Sequence, residues 1–173
     1  MGIGFRQGAM SLFMLGLLAG CFRLDTETEV RALLQTWVRL AQTRDFTSRP
    51  TCTAAIFDTL STAVLRDGPV QVATDLRAGV KMLTEGRPVA FDLPGQSPNA
   101  VSERVMSLDL ANGLGLISSF VGPARACMDD RFQADVHYAL MSSDTILIYD
   151  PSHNALMLLH RPTRIAFYLR GNV

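Results

Sequence analysis

The sequence predicts an α+β fold in which N-terminal helices pack on a C-terminal antiparallel β-meander. Three observations carry this expectation: a capped run of 3.6-residue periodicity near the start, period-two alternation from Phe132 onward, and very short turns between the last apolar runs. The first helix is the clearest element. Thr26-Glu27-Thr28-Glu29 reads as a capping box, with the Thr26 hydroxyl taking the Glu29 amide and the Glu29 carboxylate reaching back. Asp25, Glu27 and Glu29 also suit the positive end of a helix dipole. Val30, Leu33, Leu34, Trp37, Leu40 and Ala41 then form one apolar face, and Ser48-Arg49-Pro50 stops the helix beyond Arg44.

Thr53 to Leu65 predicts a second helix through Ala55, Ile56, Leu60, Ala63 and Val64, ended by Asp67-Gly68-Pro69. Val70 to Leu83 predicts a third, weakened by Gly79. Glu85 to Asn99 is rich in glycine and proline, yet Val89-Ala90-Phe91 suits a short strand. Ser102 to Phe120 stays open between a helix and a break at Gly113 and Gly115. From there the pattern turns to strands. Phe132, Ala134, Val136, Tyr138 and Leu140 alternate with polar neighbours and predict the first. Thr145–Tyr149, Ala155–His160 and Arg164–Arg170 predict three more. They are joined by turn chemistry at Ser142-Ser143-Asp144, Asp150-Pro151-Ser152-His153-Asn154 and Pro162. Connections this short require antiparallel neighbours.

With 48% hydrophobic and 18% charged residues, the 173-residue chain has the composition of a folded protein and not of a disordered one. Formal charge is +0, and no basic block interleaves with aromatics, so nucleic acid is not an expected partner. Lys81 is the only lysine among otherwise arginine cations, which reads as a GC-rich coding bias.

Ahead of the capped helix, an apolar run of about ten residues, 9–18, follows Arg6 and ends in Leu18-Ala19-Gly20-Cys21. The run is too short to cross a ~30 Å hydrocarbon layer, which takes about 20 apolar residues, and fits the core of a secretory signal peptide. The stretch resembles the lipobox of bacterial lipoprotein precursors, a likeness confined to the first 21 residues. The resemblance implies that the Cys21 thiol carries a diacylglyceryl group, that the chain is cut before Cys21, and that the new amino terminus is acylated. It divides the chain into a signal peptide (1–20), a tether (21–25) and one α+β domain (26–173). In that family an aspartate after the cysteine favours inner-membrane retention. Phe22 stands there, implying the outer membrane with the domain facing the periplasm, and the inner membrane as the alternative.

Two further cysteines then remain, Cys52 and Cys127, in a compartment where disulfides persist. An even pair without C-x-x-C or zinc spacing predicts that they bond to each other. The bridge would close a loop of about 75 residues, nominally ~4 kcal/mol in the chain-entropy model.

No residue pattern announces chemistry. His137 is expected on the wet face of a strand, His153 in a turn and His160 at a strand end. His137 and His160, with Asp135 near, would meet across the meander only in a favourable register. A metal needs three or four convergent ligands, and none is expected. Ser118, Ser119, Ser142 and Ser143 lack a nucleophile elbow, Asp129-Asp130 decorates a loop, and Gly113-Leu114-Gly115 lacks the rest of a dinucleotide loop. Trp37, Tyr168 and the apolar stretch from Ala111 to Gly122 are expected in the core or at its rim. No cofactor is expected. These readings converge on a non-catalytic envelope lipoprotein, anchored by lipid on Cys21, that binds a membrane-embedded or membrane-adjacent protein as an accessory or assembly factor. The alternative is a small-ligand-binding module with a pocket between helix and sheet.

Overall fold

The computed structural model describes residues 24–108, 116–118 and 120–171. Along the chain run α1 (Glu27–Leu34), β1 (Leu40–Arg49), β2 (Cys52–Thr59), β3 (Gln71–Ala73), α2 (Leu76–Thr84), β4 (Val89–Phe91) and α3 (Pro98–Leu108). They are followed by α4 (Val121–Ala124), a 3₁₀ turn (Arg125–Cys127), α5 (Asp130–Met141), β5 (Thr145–Asp150), β6 (Ala155–His160) and β7 (Ile165–Gly171). The described strands form one sheet in the order β1-β2-β7-β6-β5-β4-β3. Every pair is antiparallel except β3 with β4. The fold is therefore mixed α and β, with helices interspersed among the strands and not gathered at the N-terminus, and the sheet is not a pure meander.

Four local expectations change. The first helix has its capping box at Thr26 and Glu29 but ends at Leu34. Trp37 and Val38 turn inward, and residues from Leu40 pair with β2. The periodicity that runs on through Leu40 and Ala41 is overridden by this pairing, and Pro50-Thr51 forms the hairpin turn. Arg31 fastens the junction, its guanidinium donating to the Thr43 hydroxyl at 2.9 Å and to the Ala41 carbonyl. Thr53 to Leu65 is not a helix. Its first half is β2, buried along nearly its whole length, and a strand covered on both faces shows no alternation to distinguish it from a buried helix.

Val70 to Leu83 divides into β3 and α2. Asp75 caps α2 through the Ala78 amide at 2.9 Å, and the crossover back to β4 has the length that parallel pairing requires. Phe132 to Leu140 is not a strand but α5. Phe132, Val136, Ala139 and Leu140 are its buried stripe, while Ala134 and Tyr138, apolar on the period-two reading, are exposed. Asp129 caps this helix through the Phe132 amide at 2.7 Å. The ambiguous stretch gives α3, opened by Ser97 accepting from Ala100 and by Pro98 in the first turn. Its glycines at 113 and 115 lie outside the described residues.

Both faces of the sheet are covered. On one, Leu147, Leu158, Phe167 and Leu169 pack under α2, α3, α4 and α5. On the other, Phe57, Ile148, Met157 and Tyr168 pack under α1 and Trp37. Central β6 is buried at every residue.

Strand register gives the sheet two distinct ends. At the first lie the β1–β2 turn, the β5–β6 turn, the end of β7 at Gly171, and the 3₁₀ turn, whose Cys127 is bonded to Cys52 with Cα atoms 6.1 Å apart. At the far end lie Leu60, the β6–β7 turn (161–164) and the α5–β5 connection (142–144).

Candidate functional site

A polar cleft lies at the first end, between the start of α1 and the β5–β6 turn. It is half open, about 540 Å³, and lined by Asp25, Glu29, Ser152, His153, Asn154, Tyr168 and Arg170 with Val30 and Leu33. Asp25 is its organising residue. One carboxylate oxygen accepts from Thr53 Oγ1 at 2.6 Å, the other from Arg170 Nη1 at 2.5 Å. Thr53 and Arg170 are register partners on β2 and β7, so the carboxylate spans two adjacent strands. Burial pushes the Tyr168 phenol well above its ordinary range, the Asp25 charge adds to this, and Arg170 opposes it.

Asp150 is buried at the end of β5 and closes the turn beyond it. Its Oδ1 accepts from the Ser152 amide at 2.9 Å and the Ser152 hydroxyl at 2.6 Å, and its Oδ2 faces His153 Nδ1 at 2.7 Å. Asp150, Ser152 and His153 resemble a catalytic triad only by composition. In a triad the carboxylate holds one ring nitrogen and the serine faces the other. Here the Ser152 hydroxyl is 3.0 Å from the same Nδ1 that meets Asp150, so Nε2 has no part in holding it. The network is turn-closing chemistry of the Asx type.

The second feature lies at the far end, where exposed apolar side chains stand among charged ones. Arg104, Ser107 and Leu108 at the end of α3 share a shallow hollow with Asp75, Leu76 and Arg77 at the start of α2, which follows the far end of β3. The C-terminus of α5 comes to the same end, since it leads into the start of β5. Met106 and Leu108 near the end of α3, Tyr138 and Met141 near the end of α5, and Leu60 beyond β2 are each exposed. Tyr138 is 65% exposed and stands edge-on to His160, ring centroids 5.4 Å apart. Beside it on α5, His137 and Leu140 line a half-open groove with Val121 and Met128.

The histidines are thus dispersed over an exposed helix face, a turn and a buried strand end. His160 Nδ1 meets Thr163 Oγ1 at 2.7 Å. Its Nε2, and Thr145 Oγ1 on its register partner, are buried without a hydrogen-bond partner among the described residues. Burial holds the His160 ring below its usual pKa, against an opposing pull from Asp144. No three metal-ligating side chains converge among the described residues. Trp37 and Tyr168 are core residues, and Leu116 and Phe120 are buried. The space between the sheet and α2–α5 is filled by side chains such as Phe91, Phe132, Leu147 and Phe167. Cys21 and Ser119 lie outside the described residues.

Sequence patterns did not point to Asp25 as a clamp, because its partner Arg170 is 145 residues away. Nor did they mark Met106, Leu108 and Met141, which reach one end only through the packing of two helices. No family model, curated protein or solved structure matches the chain.

Proposed function

We propose that the protein is an envelope lipoprotein, held to a membrane by lipid on Cys21, whose free end docks another protein without performing chemistry on it. The anchor reading is supported by Leu18-Ala19-Gly20-Cys21 after a short apolar run. The docking reading is carried by one observation: Leu60, Met106, Leu108, Tyr138 and Met141 are each exposed, on elements that run to the end of the sheet opposite Asp25. Single exposed apolar side chains are ordinary, and several on one end of a fold gain weight as an interaction surface when they form one patch. Tyrosine and methionine are among the side chains enriched in the centres of such surfaces. The partner is membrane-embedded or membrane-adjacent, since a tether of a few residues cannot carry the domain far. The outer membrane is the expected location, from Phe22 after the cysteine.

A photo-crosslinking residue placed at Met141 in the native membrane should give a discrete protein adduct. The same residue at Thr51, at the first end, should not. Leu108→Asp should abolish the adduct, because Leu108 is 53% exposed and its loss leaves the core intact. An adduct indifferent to Leu108→Asp, or equal adducts from both positions, contradicts the reading.

A further inference from the structure

Cys21 is separated from Asp25 by three residues, so their Cα atoms can be no more than about 14 Å apart at ~3.3–3.6 Å per extended residue. Asp25 is not a loose end. Its carboxylate is bonded to Thr53 and Arg170, near the start of β2 and the end of β7, and the capping box at Thr26 begins α1 immediately afterwards. A tether fixed at that point does more than keep the domain near a bilayer: it determines which end faces it.

We propose that the lipid surface is an interaction partner of the first end of the sheet. The β1–β2 turn, the β5–β6 turn and the 3₁₀ turn are held against the headgroups by Asp25, and the apolar far end points away. The inference rests on lipidation of Cys21. Charge does not drive the contact. Arg49 and Arg125 are exposed at this end, but so are Asp129 and Asp130 where α5 begins, so no single-sign field attracts an anionic membrane. The orientation follows from tether length and the Asp25 clamp, and a zwitterionic bilayer suffices. It also leaves the exposed apolar side chains of the far end free for a partner.

The test uses the full lipidated chain in phosphatidylcholine vesicles containing a brominated lipid that quenches tryptophan. Trp37, the only tryptophan, is buried and contributes the same background throughout. Thr51→Trp places a second indole at the first end and Ser143→Trp at the far end, both at exposed positions. The five strand steps from Thr145 to Asp150 separate the ends by about 17 Å, and added quenching should be roughly twofold or more greater at Thr51 than at Ser143. In an Asp25→Ala background that keeps the Trp37 emission of the parent, the ratio should fall toward one. Mass measurement of the N-terminal fragment accompanies each sample. Equal quenching, or stronger quenching at Ser143, with lipid present on Cys21 overturns the orientation and leaves the anchor standing. A preference unchanged by Asp25→Ala overturns the role of the clamp. Absence of lipid on Cys21 overturns orientation and anchor together.

Discussion

The ring of Phe91 lies against the bare backbone of Gly79, and a Cβ added there would come within 2.1 Å of a ring carbon. By helix propensity alone, Gly79 weakens α2, and alanine would be worth about 1 kcal/mol. Packing reverses the sign. Phe91 is 2% exposed at the end of β4, packed in the core under α2, and overpacking of this kind costs typically 1–3 kcal/mol. Gly79→Ala should therefore lower stability in a urea titration. Gly122→Ala, where nothing lies within 4 Å, should be neutral or stabilising. A stabilised Gly79→Ala variant would show that the α2–β4 contact is looser than described.

Elements were legible where one local pattern dominated. The Thr26–Glu29 box placed the start of α1, and the runs at 145–149, 155–160 and 165–170 kept both strand character and turns, because Asp150, Pro151 and Asn154 carry their own geometry; Asn154 has φ of 48°. Reading failed where two periods coexisted. Phe132, Val136, Ala139 and Leu140 make a helical stripe, while Phe132, Ala134, Val136, Tyr138 and Leu140 make an alternating one, and only packing selects the first. It failed again at β2, where burial on both faces erases alternation. The Asp25 clamp was illegible for a different reason: a contact between residues so distant in sequence leaves no local trace. The bond between Cys52 and Cys127 ties β2 to the approach of α5. Closing a loop this long constrains the unfolded chain, and replacing both cysteines by alanine should cost about 2–5 kcal/mol in urea unfolding. Unreduced mature protein should also resist alkylation. Full labelling without reductant would show two free thiols and remove the staple from the account.

At the scale of the whole molecule, the sheet separates two surfaces of different character. The Asp25 end is polar and crowded with turns, a bonded cystine and the point where the tether enters. The far end carries exposed leucine, methionine and tyrosine side chains on two helix ends and beside a strand end. On the proposed reading, a lipid at one end and a docking surface at the other would make the domain an adaptor. The anchor and the orientation both depend on Cys21. Its most direct test is the mass of the N-terminal fragment of the mature protein taken from bacterial membranes. The account predicts a fragment that begins at Cys21 and carries diacylglyceryl and amide-linked acyl mass. The protein should leave the membrane fraction, or accumulate unprocessed, in Cys21→Ser. An unmodified fragment, or a Cys21→Ser protein with wild-type mass and fractionation, would contradict it.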